Sequence, residues 1–397
     1  MPENTASPDR HVLAVYLLIL SLAGFVTSFG AHIIAVNLPV YASEVGTGFF
    51  GIALLIAVFD LAEVIAKPVF GFIADRKGMK ITMVSGLVVF SLSSLLYLVL
   101  DPGLLIVVRL LQGMGAAAFS VASMALVAGF FKDNLEGAMG TYNAVKGMGY
   151  VIGPVMGGAI VLYSGFSYLF VACFIVGLAV TCMALFIRKD SAGPAFDDDD
   201  DLQRIIISFK DTRFLPWYFI TTVNMMFMGI LFGFLPVYLN ASGYDPLASG
   251  VVMGAVAVSF LIIQPVSGVL TSKLGFTRMV YLGLASEALL LIAIPFTTGW
   301  ATAIVAVLDA AGIGLVWTLS TVAIAKTANE GEMGLAMGNL GSYKEIGDMA
   351  GPLSIGIIAQ LVSLQAGFIL CGMLGLVVMA PVIIRTLKAG TEALSRA

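Results

Sequence analysis

Long apolar runs separated by short polar breaks make up almost the whole chain. A helix that spans the hydrocarbon core of a bilayer needs about 20 predominantly apolar residues. Twelve runs of this kind each predict one transmembrane helix, at residues 11–36, 49–72, 81–100, 103–131, 140–163, 166–187, 215–239, 246–271, 279–296, 300–327, 333–361 and 366–386. The pattern therefore predicts an all-α membrane protein with twelve transmembrane helices.

The composition supports this interpretation. Hydrophobic residues make up 59% of the 397 residues and charged residues only 11%, against roughly 25% charged residues in soluble domains. The 20 lysines and arginines form no basic tract, so no nucleic-acid partner is expected. The three cysteines all fall inside apolar runs and form no paired framework, so neither a disulfide scaffold nor a metal site is expected. The first apolar run lacks a convincing cleavage site and is expected to be retained as a helix.

The positions of lysine and arginine predict how the helices are oriented. Basic residues are enriched in cytoplasmic loops. The connections after the odd-numbered helices contain none, whereas those after helices 2, 4, 6, 8 and 10 contain Arg76, Lys77, Lys80, Lys132, Arg188, Lys189, Arg204, Lys210, Arg213, Lys273, Arg278 and Lys326. These connections and both termini are therefore expected to be cytoplasmic. The segment 188–214 is predicted to be a cytoplasmic linker between an N-terminal six-helix bundle, 1–187, and a C-terminal one, 215–397.

The two predicted bundles share an internal sequence repeat. KGMGYVIGPVMGG at 146–158 aligns with KEIGDMAGPLSIG at 344–356, at an offset of 198 residues. Weaker echoes relate 71–78 to 268–275 and 109–117 to 308–316. Two halves in the same orientation are one of the known plans of transporters, in which the substrate site lies between the halves near the middle of the bilayer.

Three motifs carry a resemblance to a known family. GFIADRKGMK at 71–80, RLLQGMGAA at 109–117 and GYVIGPVMGG at 149–158 resemble the loop 2–3, helix 4 and helix 5 signatures of the major facilitator superfamily. Within it, the sequence resembles the twelve-helix drug:proton antiporters. Met79 replaces a usual arginine of the first signature, which is a mild departure.

The resemblance implies the major facilitator fold, with two pseudo-symmetric six-helix bundles, and proton-coupled efflux of small lipophilic or cationic compounds, as in multidrug resistance. It implies a monomer in a prokaryotic plasma (inner) membrane that needs no cofactor besides the proton gradient. The residues it implies for a conformational latch are Gly71, Asp75, Arg76 and Gly78. Those of the antiporter helix motif are Gly149, Gly153, Pro154, Gly157 and Gly158.

The residues of the helix 5 motif suit a closely packed, flexible helix. Gly149, Gly153 and Gly157 recur every four residues and line one helix face, where small residues let two helices approach closely. Pro154 removes one backbone donor and tends to kink the helix. Tight packing without a role in transport is the alternative, but a role in transport is favoured because the second half repeats Gly-Pro in place.

Four intramembrane charged residues are candidates for proton coupling: Asp60, Glu63, Arg109 and Asp309. Asp60, Glu63 and Lys67 share one helix face, where they form either an ion-pair lattice or a site with one titrating acid. Glu63 is expected to pair with Lys67, which leaves Asp60 as the favoured proton carrier of this helix. By resemblance, Arg109 influences proton binding at a nearby carboxylate; otherwise it is a structural charge. Asp309 has no obvious local partner and is a second proton or cation candidate.

Six further residues are candidates for the substrate cavity: His32, Tyr142, Lys146, Glu287, Lys344 and Asp348. The intramembrane acids outnumber the bases, six to four, which favours cationic or neutral substrates. Lys146 and Lys344 occupy equivalent positions in the repeat and could alternatively clamp an anion. Lys344 is expected to pair with Asp348, four residues away.

Two other functions remain alternatives. The same fold serves proton symporters and facilitators that import a sugar, an organic acid or another metabolite. A membrane enzyme or sensor is the minor alternative, because no H-E-x-x-H, G-x-S-x-G or P-loop motif is present. We therefore expect a transporter rather than an enzyme.

Overall fold

The computed structural model describes residues 10–131, 135–187, 211–328 and 333–378. In these ranges the chain forms twelve α-helices, joined by short connections that include two 3-10 turns, Pro102–Leu104 and Ile294–Phe296. The helices are α1 Arg10–Glu44, α2 Phe49–Lys77, α3 Met79–Val99, α4 Leu105–Phe130, α5 Leu135–Ser164, α6 Phe166–Ala184, α7 Leu215–Ala241, α8 Pro246–Leu274, α9 Phe276–Ala293, α10 Trp300–Thr327, α11 Met333–Leu361 and α12 Leu364–Val378. The all-α fold class is confirmed, and each predicted helix coincides with an observed helix within the described residues.

Ten of the helices in these ranges, α1 to α10, are long and apolar enough to cross a membrane. The helix α11 has sufficient length, 29 residues, but it contains three charged side chains close together, Lys344, Glu345 and Asp348. The predicted twelfth helix continues to residue 386, and its part beyond residue 378 lies outside the described residues. The multi-pass character of the chain follows from these helices.

Glycines turn the chain between consecutive helices at equivalent places of the repeat. Gly78 lies between α2 and α3 with φ 100°, and Gly275 lies between α8 and α9 with φ 88°. Both backbone conformations are in the region that only glycine adopts without strain. Gly78 belongs to the predicted latch, and its conformation gives a structural reason for glycine at this position.

The chain divides into two compact units. The first unit consists of Met1–Ile34 and Ala62–Ala195, and the second of Ala35–Leu61 and Phe196–Ala397. The segment 35–61 therefore groups with the second unit, although it lies within the predicted bundle 1–187. Most of the predicted linker, 188–210, lies outside the described residues, so the bundle boundaries stay a prediction.

Candidate functional site

The glycines of the helix 5 motif lie where α5 crosses α1 in the first unit. A Cβ atom on Gly149 would lie 2.5 Å from the backbone nitrogen of Phe29, and one on Gly153 would lie 3.1 Å from the backbone nitrogen of Ile33. Pro154 lies inside the helix, and Gly157 and Gly158 are buried. The glycine face of α5 is thus a surface of direct backbone contact, as small-residue helix interfaces are in membranes.

The second unit repeats this crossing between α7 and α11. A Cβ atom on Gly347 would meet the carbonyl oxygen of Thr222, and one on Gly351 would meet that of Met226. Gly347 and Gly351 are the residues that the 198-residue repeat aligns with Gly149 and Gly153. The two units therefore repeat the same close backbone packing as well as the same sequence motif.

Three of the cavity candidates lie on α1 and α5 of the first unit. The His32 Nδ1 donates a hydrogen bond to the carbonyl oxygen of Ser28 at 2.8 Å, and its ring lies 4.1 Å from that of Tyr150. Lys146 is half-buried one turn before Tyr150. Tyr142 is fully buried, and its place in a substrate cavity stays a prediction. Its hydroxyl lies 2.9 Å from Ser123 Oγ, and its ring fills the space beside Gly24.

The charged residues of α2 include one clear ion pair. Lys67 Nζ lies 2.7 Å from Glu63 Oε2, which confirms the predicted pairing. Asp60, one turn earlier on α2, is half-buried and also interacts with its surroundings. The choice of Asp60 as the proton carrier stays a prediction.

Two basic residues of the predicted latch region make contacts within the first unit. The Arg76 guanidinium lies 4.1 Å from the ring centroid of Phe72, a cation–π distance. Lys80 Nζ donates a 2.7 Å hydrogen bond to the carbonyl oxygen of Leu185, just after the end of α6. A lysine at a helix C-terminus is favourable because the carbonyls there lack helical partners. Gly71 lies within α2, and the side chain of Asp75 lies outside the described residues. The latch function stays a prediction.

Arg109 lies in a buried polar cluster between α3 and α4. Its side chain is 2% exposed, and Nη1 donates a hydrogen bond to Gln112 Oε1 at 3.0 Å. The Tyr97 hydroxyl donates to the same oxygen, also at 3.0 Å. The amide oxygen of Gln112 therefore satisfies two donors, one of them charged. The sequence predicted that Arg109 faces the bundle but did not identify Tyr97 or the double acceptor.

Glu287 on α9 and Asp309 on α10 are both 0% exposed. None of their four carboxylate oxygens has a hydrogen-bond partner among the described residues. The sequence singled out both residues separately, as a cavity and a coupling candidate, and did not associate them. The two residues lie on different helices, and the sequence alone does not indicate that such residues are close in space.

The three charged residues of α11 interact locally and leave one negative charge in excess. Lys344 Nζ lies 2.6 Å from Asp348 Oδ2 and 3.2 Å from Glu345 Oε2, so the predicted Lys344–Asp348 pair is confirmed. The equivalent Lys146 has Gly147 and Tyr150 where Lys344 has these acids. The two lysines are therefore chemically different, which weakens the alternative of a symmetric anion clamp.

The contribution of the Lys344–Asp348 ion pair to stability can be measured by a double-mutant cycle. We expect Lys344→Met and Asp348→Asn to be coupled by about 0.5–3 kcal/mol in the free energy of unfolding, because each change leaves a half-buried charge less compensated. The measurement is detergent-based denaturation of both single variants and the double variant. Strict additivity of the two changes would show that the ion pair contributes nothing.

The described residues contain no group of three or more histidine, cysteine or acidic side chains that could hold a metal ion. The acidic groups of the described residues include the Glu63–Lys67 and Lys344–Asp348 ion pairs and the carboxyls of Glu287 and Asp309, which have no hydrogen-bond partner. Such groups can exchange protons with water when helices move.

Comparison with known proteins supports a transporter. The Major Facilitator Superfamily matches residues 20–347 and 218–395. Multidrug resistance protein 2 of Bacillus subtilis is 26% identical over 384 residues, which cover 91% of this chain and 94% of that protein. Multidrug resistance protein MdtG of Salmonella arizonae is 25% identical over 367 residues, which cover 89% and 90%.

A solved structure shows the same fold. The crystal structure of the nucleoside transporter NupG matches with a TM-score of 0.78 and covers 94% of this chain and 99% of that chain, at 12% identity. At this identity the likeness concerns the arrangement of helices and not the substrate.

Proposed function

Because the chain belongs to the major facilitator superfamily, we propose that it is a secondary active transporter that exports small lipophilic or cationic compounds in exchange for protons. The observation that carries the proposal is the glycine crossing of α1 with α5, where the residues of the antiporter signature meet the neighbouring backbone directly. Relatives named for multidrug resistance support export.

Proton exchange follows from an acid whose proton affinity differs between two conformations. In our mechanism of alternating access, one state binds substrate while an acid releases its proton, and the other state binds a proton while substrate leaves. Asp60 is the proposed carrier on α2, and the Glu63–Lys67 ion pair one turn away keeps its own charges balanced. The gradient drives export because the proton and the substrate favour different states.

The charges favour a cationic or neutral substrate. Lys344 is neutralised by Asp348 and Glu345, so it offers little positive charge to an anion. His32, Tyr142 and Lys146 remain proposed cavity residues of the first unit. In this proposal the protein acts without a cofactor and is not an enzyme.

The setting of the protein is also part of the proposal. A transporter of this family sits in a lipid bilayer and binds small molecules. We place it as a monomer in a prokaryotic inner membrane. Both termini are placed in the cytoplasm because, among the connections between helices, only the even-numbered ones contain lysine or arginine.

Import is the second candidate function. A nucleoside transporter has the same fold, and a symporter would move substrate and protons in the same direction. The direction of proton movement relative to substrate therefore distinguishes export by antiport from symport, and a facilitator would move no protons at all.

The proposal is tested in proteoliposomes loaded with a pH-sensitive dye and supplied with a lipophilic fluorescent cation. One pH unit stores about 1.4 kcal/mol per proton, enough for about tenfold accumulation. We expect such accumulation on the acidic side of the membrane and an opposite proton flux. Asp60→Asn is expected to equilibrate the cation without accumulating it, whereas Asp101→Asn, in an exposed connection, is expected to behave as the unmodified protein. Proton and cation movement in the same direction would overturn antiport.

A further inference from the structure

We propose that Glu287 and Asp309 together form a second proton-binding site, at the crossing of α9 and α10 in the second unit. We call the two residues the carboxyl pair. The proposal rests on proton-coupled transport and adds to it a site in the C-terminal half of the sequence, besides Asp60 on α2. The site takes up protons when its helices are closed and releases them when water reaches it.

The helix crossing brings the two side chains to one interface. A Cβ atom on Gly312 of α10 would lie 3.4 Å from the carbonyl oxygen of Gly283 and 3.3 Å from Cγ of Glu287, both on α9. The nearest atom would be Ser286 Oγ at 2.7 Å, so the missing side chain of Gly312 makes room for Ser286 and for the stem of Glu287. Asp309 lies one turn before Gly312 on α10, on the same face. Both carboxyls are therefore held at the α9–α10 contact, away from solvent.

The equivalent crossing in the first unit, between α3 and α4, contains a different side chain at the position of Glu287. There, Gly115 of α4 packs against the carbonyl oxygen of Gly86 and the backbone of Phe90, both on α3. A shift of 197 residues relates the two crossings, Gly86 to Gly283 and Gly115 to Gly312, and it relates Phe90 to Glu287. A carboxyl group therefore occupies the place of a buried phenyl ring that packs edge-on against Phe119.

The same shift places Asp309 at the position of Gln112. In the first unit, Gln112 accepts hydrogen bonds from Arg109 and Tyr97. In the second unit the corresponding residues are apolar and cannot donate from their side chains. They are Ala306 in place of Arg109 and Ile294 in place of Tyr97. The second unit thus has a buried acceptor at this position without either of the two donors.

Within the described residues, neither carboxyl of the pair has a hydrogen-bond or ion-pair partner. Arg278 is nine residues from Glu287, about 13 Å along α9, and Lys326 is seventeen residues from Asp309, about 25 Å along α10. The other titratable or charged groups on the helices that pack against α9 and α10 are Tyr218 and Tyr238 on α7, Lys273 in the last turn of α8, Tyr281 on α9, Tyr343, Lys344, Glu345 and Asp348 on α11, and Cys371 on the described part of α12. Of these, Lys344 is paired with Glu345 and Asp348.

A proton satisfies this site better than a metal ion does. An ionised carboxylate without a partner is so costly in an apolar interior that such a group binds a proton instead. A hard cation such as Ca²⁺ takes six to eight oxygen ligands, whereas the carboxyl pair supplies at most four. A proton needs one oxygen and no cavity. Binding forms one O–H bond on a carboxylate with a proton from water, and release reverses it.

The carboxyl pair couples to conformation through its access to water. While α9 and α10 remain in contact, both groups are expected to be neutral. Separation of the helices hydrates the carboxylates and stabilises their charged forms, so protons leave. Each state therefore has its own proton affinity, which is what coupling requires.

The test is infrared spectroscopy of the purified full-length protein, without substrate, over a range of pH. We expect the carboxylic-acid C=O band to persist at neutral pH, and to shrink by one group in Glu287→Gln and by another in Asp309→Asn. The matched control is Asp211→Asn. Hydrogen bonds from Arg213 lower the pKa of the Asp211 carboxyl below its ordinary value, so this group contributes no acid band at neutral pH.

Three outcomes would overturn the site: no acid band in the unmodified protein at neutral pH, an acid band that remains unchanged in the variant with both substitutions, or loss of the band on addition of Na⁺. The first outcome needs no variant, so a folding defect cannot obscure it. The band is measured without transport. It can therefore be present when antiport fails in proteoliposomes, and absent when antiport succeeds, which separates the two proposals.

Discussion

Gly351→Ala is expected to destabilise the protein by about 1–3 kcal/mol and to abolish transport. The added methyl group would be driven against the carbonyl oxygen of Met226, and overpacking a tight interface costs about this much because the backbone must shift. At Gly341, on the same helix, no described atom apart from the neighbouring turns of α11 itself lies within 4 Å of the position that an added methyl group would occupy. Gly341→Ala is therefore expected to stabilise α11 slightly, by up to about 1 kcal/mol, since alanine is the better helix former.

Thermal unfolding of the two variants in detergent measures the difference, and dye accumulation in proteoliposomes measures the transport defect. The first unit provides a second matched pair, because Gly149→Ala meets the backbone of Phe29 whereas Gly140→Ala meets nothing within 4 Å. Equal melting temperatures for Gly351→Ala and Gly341→Ala would show that α7 and α11 do not depend on the close contact.

The fold was accessible from the sequence because its helices are long and nearly uniformly apolar. Even α11, with three charged residues, was predicted from its length and from its repeat of α5. The ion pairs Glu63–Lys67 and Lys344–Asp348 were predicted for a similar reason, since residues four apart meet on any helix. Local spacing therefore determined each of these features.

Contacts between helices were less accessible. The sequence aligned 109–117 with 308–316, because GMG and GIG match there. The packing instead relates Gly115 to Gly312, which places Asp309 at the position of Gln112 and not near that of Arg109. A difference of two residues in the alignment changes which side chains are equivalent. A short glycine motif is not enough to determine the correct alignment. The double acceptor role of Gln112 and the burial of Tyr142 likewise depend on neighbouring helices.

The Arg109 cluster leads to the second large effect. Gln112→Leu is expected to destabilise the protein by about 2–4 kcal/mol. The substitution removes one acceptor of the Arg109 guanidinium and the acceptor of the Tyr97 hydroxyl. Loss of a partner costs a buried donor about 1–3 kcal/mol, with more for charged groups. Relief of the unpartnered Gln112 Nε2 offsets part of this cost.

Two other variants separate loss of the acceptor from a change of shape. Tyr97→Phe leaves Gln112 bound to Arg109 and is expected to cost only about 1 kcal/mol. Gln112→Glu keeps the acceptor oxygen and adds a negative charge beside the guanidinium, so it is expected to retain stability where Gln112→Leu loses it. Thermal unfolding of the three variants gives the order of their stabilities. If Gln112→Leu is as stable as Tyr97→Phe, Arg109 does not depend on Gln112, and the cluster is held by other contacts of the guanidinium.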